Sequence, residues 1–363
     1  MTLRDVVVLG LGIHGSAAAF ELAQRGLDVV GIEQFESGHV RGSSHGATRM
    51  IRRAYPHPVW NDLVDRAYLG WDRWNLAAGR PFVTTTGGLY AHDGAPTLQG
   101  GHSRPVAEEE RKTIAPSFAP PADFGVVHDP DAGVIDAAGA LAFARAGARA
   151  AGAELRFGET VLDYSVDARV VTVRTSAETI RARRLVLAGG AWAPALVPQA
   201  ASFFEVWRIV TLTVAAGQAV AQPPALGCFS VDLPEGLVFG LPEASGSGAK
   251  IGIDAGPVWN PDVPVAPPTD AEVRQLAELL GRFVPGIDTT QGEAVACLYT
   301  MTPDKRFVVG ALPGTPEVVL ASACSGHGFK FGPAIGEAVA DLVTGVARPD
   351  LDFVSPARME AHV

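Results

Sequence analysis

The sequence predicts an α/β chain of two interleaved lobes, one a mostly parallel sheet and the other rich in β-structure. Three observations carry the prediction. A strand, a glycine turn, a helix and a second strand open the chain, which is one βαβ unit of the Rossmann type. The stretch from Phe203 to Ile253 is β-patterned with hairpin punctuation, and segments on both sides of it read as the first lobe again. The length, 363 residues, exceeds the roughly 250–300 at which one hydrophobic core stops growing.

Taken in order, Asp5 to Leu9 reads as a buried strand, Ser16 to Arg25 as a helix closed by Gly26, and Val29 to Ile32 as a strand ending at Glu33. A mostly helical stretch is expected from Arg49 to Leu76, then a strand from Gly87 to Ala91. The Pro- and Gly-rich region after it, with a charged patch at Glu108 to Lys112, reads as a surface excursion. Asp136 is a suitable N-cap for the alanine-rich helix Ala137 to Ala150. Ala153 to Phe157, Val170 to Arg174 and Arg184 to Leu187 then read as strands. Asp270 to Phe283 is one amphipathic helix capped by Thr269. Val318 to Ala321 is a short strand, followed by a glycine turn and the helix Pro333 to Val343, which can return the chain to the first lobe. The expected division is 1–85, 134–203 and 300–363 for the dinucleotide-binding domain, and 86–133 and 204–299 for the substrate domain.

Composition narrows the function classes. Hydrophobic residues at 47% against 19% charged fit an ordinary globular protein and exclude a disordered one. A net charge of -10 argues against nucleic acid as a partner, since phosphate binding wants a basic face. Cys228, Cys297 and Cys324 form neither a paired framework nor a metal-type spacing, and they suit a reducing compartment. Gly10, Gly12 and Gly15 interrupt the first apolar run, so no export signal is expected. The longest uncharged run, Leu185 to Phe204, contains Gly189, Gly190, Pro194 and Pro198, so no membrane span is expected either. The expectation is a cytoplasmic protein with no metal.

The chemistry concentrates in six segments. In Gly10-Leu11-Gly12-Ile13-His14-Gly15 the first glycine permits a tight turn, the second lets the backbone approach a pyrophosphate, and the third lets the helix pack on the strand. Glu33, at the end of the next strand, can accept ribose hydroxyls. This fingerprint leaves FAD and NAD equally open. Gly189-Gly190-Ala191-Trp192 closes another strand, as a plain turn or as a place where ligand presses on backbone. Ser43, His45 and Thr48 precede what reads as a helical turn, on which Arg49 and Arg52 share a face at spacing three. Two guanidiniums so placed suit an anion, although surface arginines are ordinarily solvated. Lys250, Gly252 and Asp254 alternate onto one face of a strand, as a wet face would. In Ser325-Gly326-His327-Gly328-Phe329-Lys330 a glycine turn opens a helix whose positive end faces whatever fills the turn, with Lys330 as a second cation.

Cys297 begins the run Cys297-Leu298-Tyr299-Thr300-Met301-Thr302-Pro303-Asp304. A lone cysteine is ordinarily a small core residue. A thiol placed so late can nonetheless reach a cofactor held by the head of the chain. With these blocks in order, the sequence resembles, over nearly its whole length, the monomeric sarcosine oxidase and N-methyltryptophan oxidase family within the D-amino acid oxidase-like flavoproteins.

The resemblance implies a monomer with the two-domain fold of that family and FAD joined covalently through its 8α-methyl carbon to the Cys297 sulfur. It implies that Arg52 and Lys330 bind a substrate carboxylate, that His45, Arg49 and Tyr299 line the flavin pocket, and that Lys250 activates O2. Two positions depart from the sarcosine oxidase pattern. Phe239 stands where tyrosine is usual, and Asp254 where histidine is usual, so the wall opposite the carboxylate clamp is altered. The expected activity is oxidation of a secondary amino acid, such as an N-methyl amino acid, to an imine, with O2 reduced to H2O2. The alternatives are a cyclic imino acid oxidase, a flavin dehydrogenase using another acceptor, or a nucleotide-binding module without turnover.

Overall fold

Apolar runs with β-branched residues make the first sheet. The computed structural model describes residues 2–362 apart from Ser245, Ala323 and Cys324, with only the backbone at 360–362. Strands Glu154–Phe157, Val29–Glu33, Leu3–Leu9 and Thr179–Leu187 lie side by side and parallel, and Thr315–Ser322 joins parallel to the end of Thr179–Leu187. The antiparallel strands Val161–Asp167, Val170–Thr175 and Val308–Leu312 complete it. Val6, Val7 and Val8 are fully buried, as a strand covered on both faces requires.

Helices Ile13–Gln24, Asn61–Ala78, Ala137–Ala150 and Gly332–Val343 cover one face of this sheet around Trp60, Trp71 and Trp74. The first and last of them touch at backbone distance. A Cβ on Gly336 would lie 2.7 Å from the Ala17 carbonyl carbon, so glycine is what permits the approach. Ala-rich Ala137–Ala150 begins at Asp136, whose side chain accepts from the Gly139 amide, as the sequence predicts.

The second sheet has eight strands, in the order Gly292–Met301, Glu205–Val214, Lys250–Ile253, Gly236–Leu241, Cys228–Leu233, Gly88–His92, Gly125–Asp129 and Arg104–Val106. Helix Asp270–Phe283 packs on it through Leu276, Leu280 and Phe283. Its start carries a complete capping box between Thr269 and Glu272.

Two sequence expectations fail. The chain is not helical from Arg49; Thr48–Ile51 is a strand paired with Gly133–Asp136, itself paired with Val83–Thr85, and the long helix begins only at Asn61. Pairing with a strand about 85 residues away in sequence overrides the local pattern. The expected surface excursion is instead structured, with helix Glu108–Ile114 and two strands of the second sheet. Glu108, Glu109 and Glu110 favour a helix start and the Lys112–Glu108 pair (2.7 Å) supports it. Among the described residues no helix is long and apolar enough to cross a membrane, and no cluster could hold a metal ion.

Candidate active site

The glycine turn is built for close approach. Gly10 has φ +88, and a Cβ there would lie 2.5 Å from the Ala188 carbonyl oxygen. Gly12 starts helix Ile13–Gln24 without a side-chain cap and with no acid in the first turn, and the Ile13 amide donates to Ser44 Oγ (3.0 Å). A Cβ on Gly15 would fall 1.8 Å from the Gly10 carbonyl oxygen, so this glycine packs helix on turn and does not line the cavity. Buried Glu33 accepts from the Leu11 amide (2.9 Å) and the Phe35 amide (3.2 Å), which holds the turn against the next strand. Each carboxylate oxygen keeps a further lone pair for a hydroxyl.

A cavity of about 1140 Å³ runs from this turn to the second sheet. It exceeds the ~300–1,000 Å³ of ordinary ligand pockets, which suits a dinucleotide together with a small substrate. At the first sheet it is lined by Gly10, Gly12, Ile13, His14, Glu33, Gly189, Gly190 and Trp192. A fitting cradle for FAD therefore exists: glycine backbone where a Cβ would clash, a helix start for phosphate with no acid in its first turn, and a buried acid at the strand end.

Sheet register explains the opposite wall. Val295, Cys297 and Tyr299 alternate onto one face of their strand, and Thr213 and Thr211 continue that face across Glu293 and Val295. On the next strand Lys250 pairs with Thr213 and Gly252 with Thr211, so Lys250 and Asp254 line the cavity. Beyond it, Leu241 pairs with Lys250 and Phe239 with Gly252, which makes this side apolar. A Cβ on Gly252 would lie 2.5 Å from the Phe239 ring, so the glycine lets that ring lie flat.

The loop before strand Thr48–Ile51 joins the two walls. Ser43 donates to the Leu298 carbonyl (2.5 Å), next to Cys297. Arg49 donates to the carbonyls of Thr48 (2.8 Å), Ser43 (2.8 Å) and His45 (2.6 Å), and Lys250 donates to the Thr48 carbonyl (2.8 Å). The expected shared helical face of Arg49 and Arg52 is thus corrected. Arg49 sits within a strand and clasps loop carbonyls, whereas Arg52 follows the strand and stacks 5.0 Å from the Tyr55 ring. His45 Nδ1 donates to the Gly42 carbonyl (2.6 Å), and burial pulls its pKa down, so the ring is neutral.

Arg52 and Lys330 are the buried cations of the site. Neither forms an ion pair among the described residues; Arg52 Nε has no partner, and Lys330 Nζ donates to the His327 carbonyl (2.8 Å). His327 Nε2 lies 3.1 Å from the Lys305 carbonyl, which only accepts, so Nδ1 accepts from the Tyr55 hydroxyl (3.2 Å). Gly326 and Gly328 shape this turn, and His14 Nε2 donates to the Gly328 carbonyl (3.0 Å).

Burial dominates the electrostatics. It pulls the Lys250 ammonium down to about 7, helped by Arg49 and opposed by Cys297. It also pulls Lys330 well below its ordinary value, with Arg52 adding to the shift. His14 falls to about 4 by burial, so its ring is neutral. Burial raises Cys297, Tyr299 and Asp254; the cations Arg49 and Lys250 oppose the rise at Cys297, and Lys305, Arg52 and Lys330 oppose it at Asp254.

All the sequence-predicted site residues except Gly15 line this one cavity. Sequence reasoning missed Ser44, which takes the Ile13 amide, and Arg145, whose Nη2 donates to the Leu11 carbonyl (2.5 Å) from the alanine-rich helix. An arginine among alanines was the available signal. Leu237 and Leu241 gave none, because only the register puts them on the cavity face.

Residues 5–342 match the family of FAD dependent oxidoreductases. The monomeric sarcosine oxidase of Streptomyces avermitilis is 33% identical over 379 residues, covering 98% of this chain and 98% of that protein. The N-methyl-L-tryptophan oxidase of Yersinia pestis is 28% identical, covering 98% and 99%. In fold, the chain is similar to NikD, described as an unusual amino acid oxidase essential for nikkomycin biosynthesis, with TM-score 0.86, 24% identity and 98% of each chain covered. With its glycine cradle, its buried acid and these relatives in agreement, the chain belongs to the FAD-dependent oxidoreductase family.

Proposed function

We propose that the protein is an oxidase of a secondary amino acid, sarcosine-like or otherwise N-methylated, acting on the C–N bond to give an imine and H2O2. The observation that carries this reading is one cavity holding two buried cations that have no carboxylate partner among the described residues, Arg52 and Lys330, together with Lys250 and Cys297 on the facing sheet. FAD, when bound, supplies the hydride acceptor and the route of electrons to O2.

Gly10, Gly12, Ile13, His14, Glu33, Ser43, Thr48, Gly189, Gly190, Trp192, Gly326 and Gly328 hold the cofactor, and Cys297 is its covalent attachment point. Arg52 and Lys330 grip the substrate carboxylate, which Arg can do bidentately. His45, Arg49 and Tyr299 shape the pocket. Lys250 places a positive charge where O2 is reduced, and charge developing there is stabilised electrostatically. The relatives named as sarcosine and N-methyl-L-tryptophan oxidases support the substrate class, and a monomer is proposed from the same likeness. The two-domain division at 1–85, 134–203 and 300–363 against 86–133 and 204–299 is proposed with it, supported by the separation of the two large sheets.

A cyclic imino acid is the second reading, favoured by the apolar wall of Leu237, Phe239 and Leu241. Oxygen uptake with a panel of N-methylated and cyclic amino acids tests both. Turnover of neither class would reject a secondary amino acid oxidase.

A further inference from the structure

A half-buried carboxylate lines the same cavity as the two cations without being paired to either among the described residues. Asp254 follows strand Lys250–Ile253, and its amide is fixed on the Leu237 carbonyl (2.9 Å). Its side chain lines the cavity, yet Oδ1 is shut off from solvent with no hydrogen-bond partner among the described residues. An enclosed carboxylate oxygen left unpaired is costly, so the arrangement asks for compensating positive charge.

The surroundings narrow its source. A Cβ on Gly326 would lie 2.8 Å from Asp254 Oδ1 and 2.7 Å from Tyr299 Cε2, so the Gly326 backbone closes over that oxygen, and a ligand meets the carboxylate through its other oxygen. Phe239 and Leu237, on the neighbouring strand, offer no side-chain polar group. The charged groups whose fields reach Asp254 are Lys305, Arg52 and Lys330, all cations, and the Tyr299 phenol is the neutral neighbour. A ligand bringing only a carboxylate to Arg52 and Lys330 would set that charge near a second carboxylate. A ligand that also carries a cation satisfies both.

We propose that Asp254 is the counter-ion for the substrate's ammonium group, so that the cavity takes its amino acid as the zwitterion. The carboxylate lies on Arg52 and Lys330, the nitrogen on Asp254, and an apolar substituent against Leu237 and Phe239. The inference rests on the carboxylate clamp proposed above.

Two isosteric ligands test it. Trimethylglycine and 3,3-dimethylbutanoate share a shape and a carboxylate and differ in the positive charge. Each is titrated into the flavin-loaded protein and read by perturbation of the flavin absorbance, without turnover. Wild type is expected to bind trimethylglycine tighter, by about tenfold or more. Asp254→Asn and Asp254→Ser are expected to lose that preference while keeping or improving affinity for 3,3-dimethylbutanoate. An unchanged preference in the variants, or an equal loss for both ligands, overturns the proposal. Binding of neither ligand to wild type removes the carboxylate clamp as well, and a wild type that binds both equally sinks the ammonium site alone.

Discussion

Lys250 differs from an ordinary lysine because its amine is buried, faces Arg49 and has one carbonyl partner, that of Thr48. With its pKa near 7 in the ligand-free protein, the charge it offers is present below that pH and lost above it. The reaction of the reduced protein with O2, followed by stopped flow, is therefore expected to slow as pH rises through the pKa of this amine, which the negative charge of a reduced flavin lifts above the ligand-free value of about 7. Lys250→Met should slow this half-reaction at low pH, where the wild-type amine is charged, converge on the wild type as pH rises, and so flatten the profile, with flavin reduction much less affected. Equal damage to both half-reactions would take the role from Lys250. Arg52→Ala and Lys330→Ala should each weaken carboxylate binding by about 2–5 kcal/mol, at least roughly thirty-fold in Kd, because each removes one partner of a desolvated charge contact. Titration of the flavin spectrum with a simple carboxylate measures it. Cys297→Ser should leave the yellow colour extractable in acid, whereas wild type should keep it on the polypeptide; colour retained by the variant would place the bond elsewhere.

Among the elements, those with caps written into the sequence match their predicted bounds. Ala137–Ala150 follows Asp136, and Asp270–Phe283 follows Thr269, because a cap is a hydrogen bond within three residues. Thr48–Ile51 reads as helix from its neighbours and is strand in the molecule, because its partner Gly133–Asp136 lies far along the chain. The helix Asp270–Phe283 also carries a testable charge. Glu272 accepts from Thr269 and pairs with buried Arg208 (2.6 Å), and these hold its pKa at about 2 against an ordinary value of 4.5, Arg208 foremost. A depressed carboxyl stabilises the fold above its unfolded pKa and loses that contribution as pH falls toward the folded one. The difference in Tm between wild type and Glu272→Gln should therefore shrink as pH falls from about 4.5 to about 2. A difference constant over that range would show that the pair contributes nothing.

On the scale of the whole molecule, the tail must return to the head to complete the site. Helix Gly332–Val343 lies on helix Ile13–Gln24 at Gly336 and Gly332, and this contact carries the turn with Gly326 and Gly328 to the glycine cradle. Gly336→Leu would force the two backbones apart. It should cost about 1–3 kcal/mol of stability, and it should reduce flavin retention after gel filtration; unchanged retention and Tm would mean that the packing tolerates the separation. Caps, glycine spacing and apolar runs are local interactions within a few residues, so the linear chain displays the βαβ unit, the capped helices and the cysteine segment directly. The meeting of Lys250, Cys297, Arg52 and Asp254 depends on strand register and on pairings between distant segments, whose energy exists only once the partners are in place. For the same reason the unpaired state of Asp254 is a property of the folded cavity, since a polar group is orphaned only by what surrounds it in space.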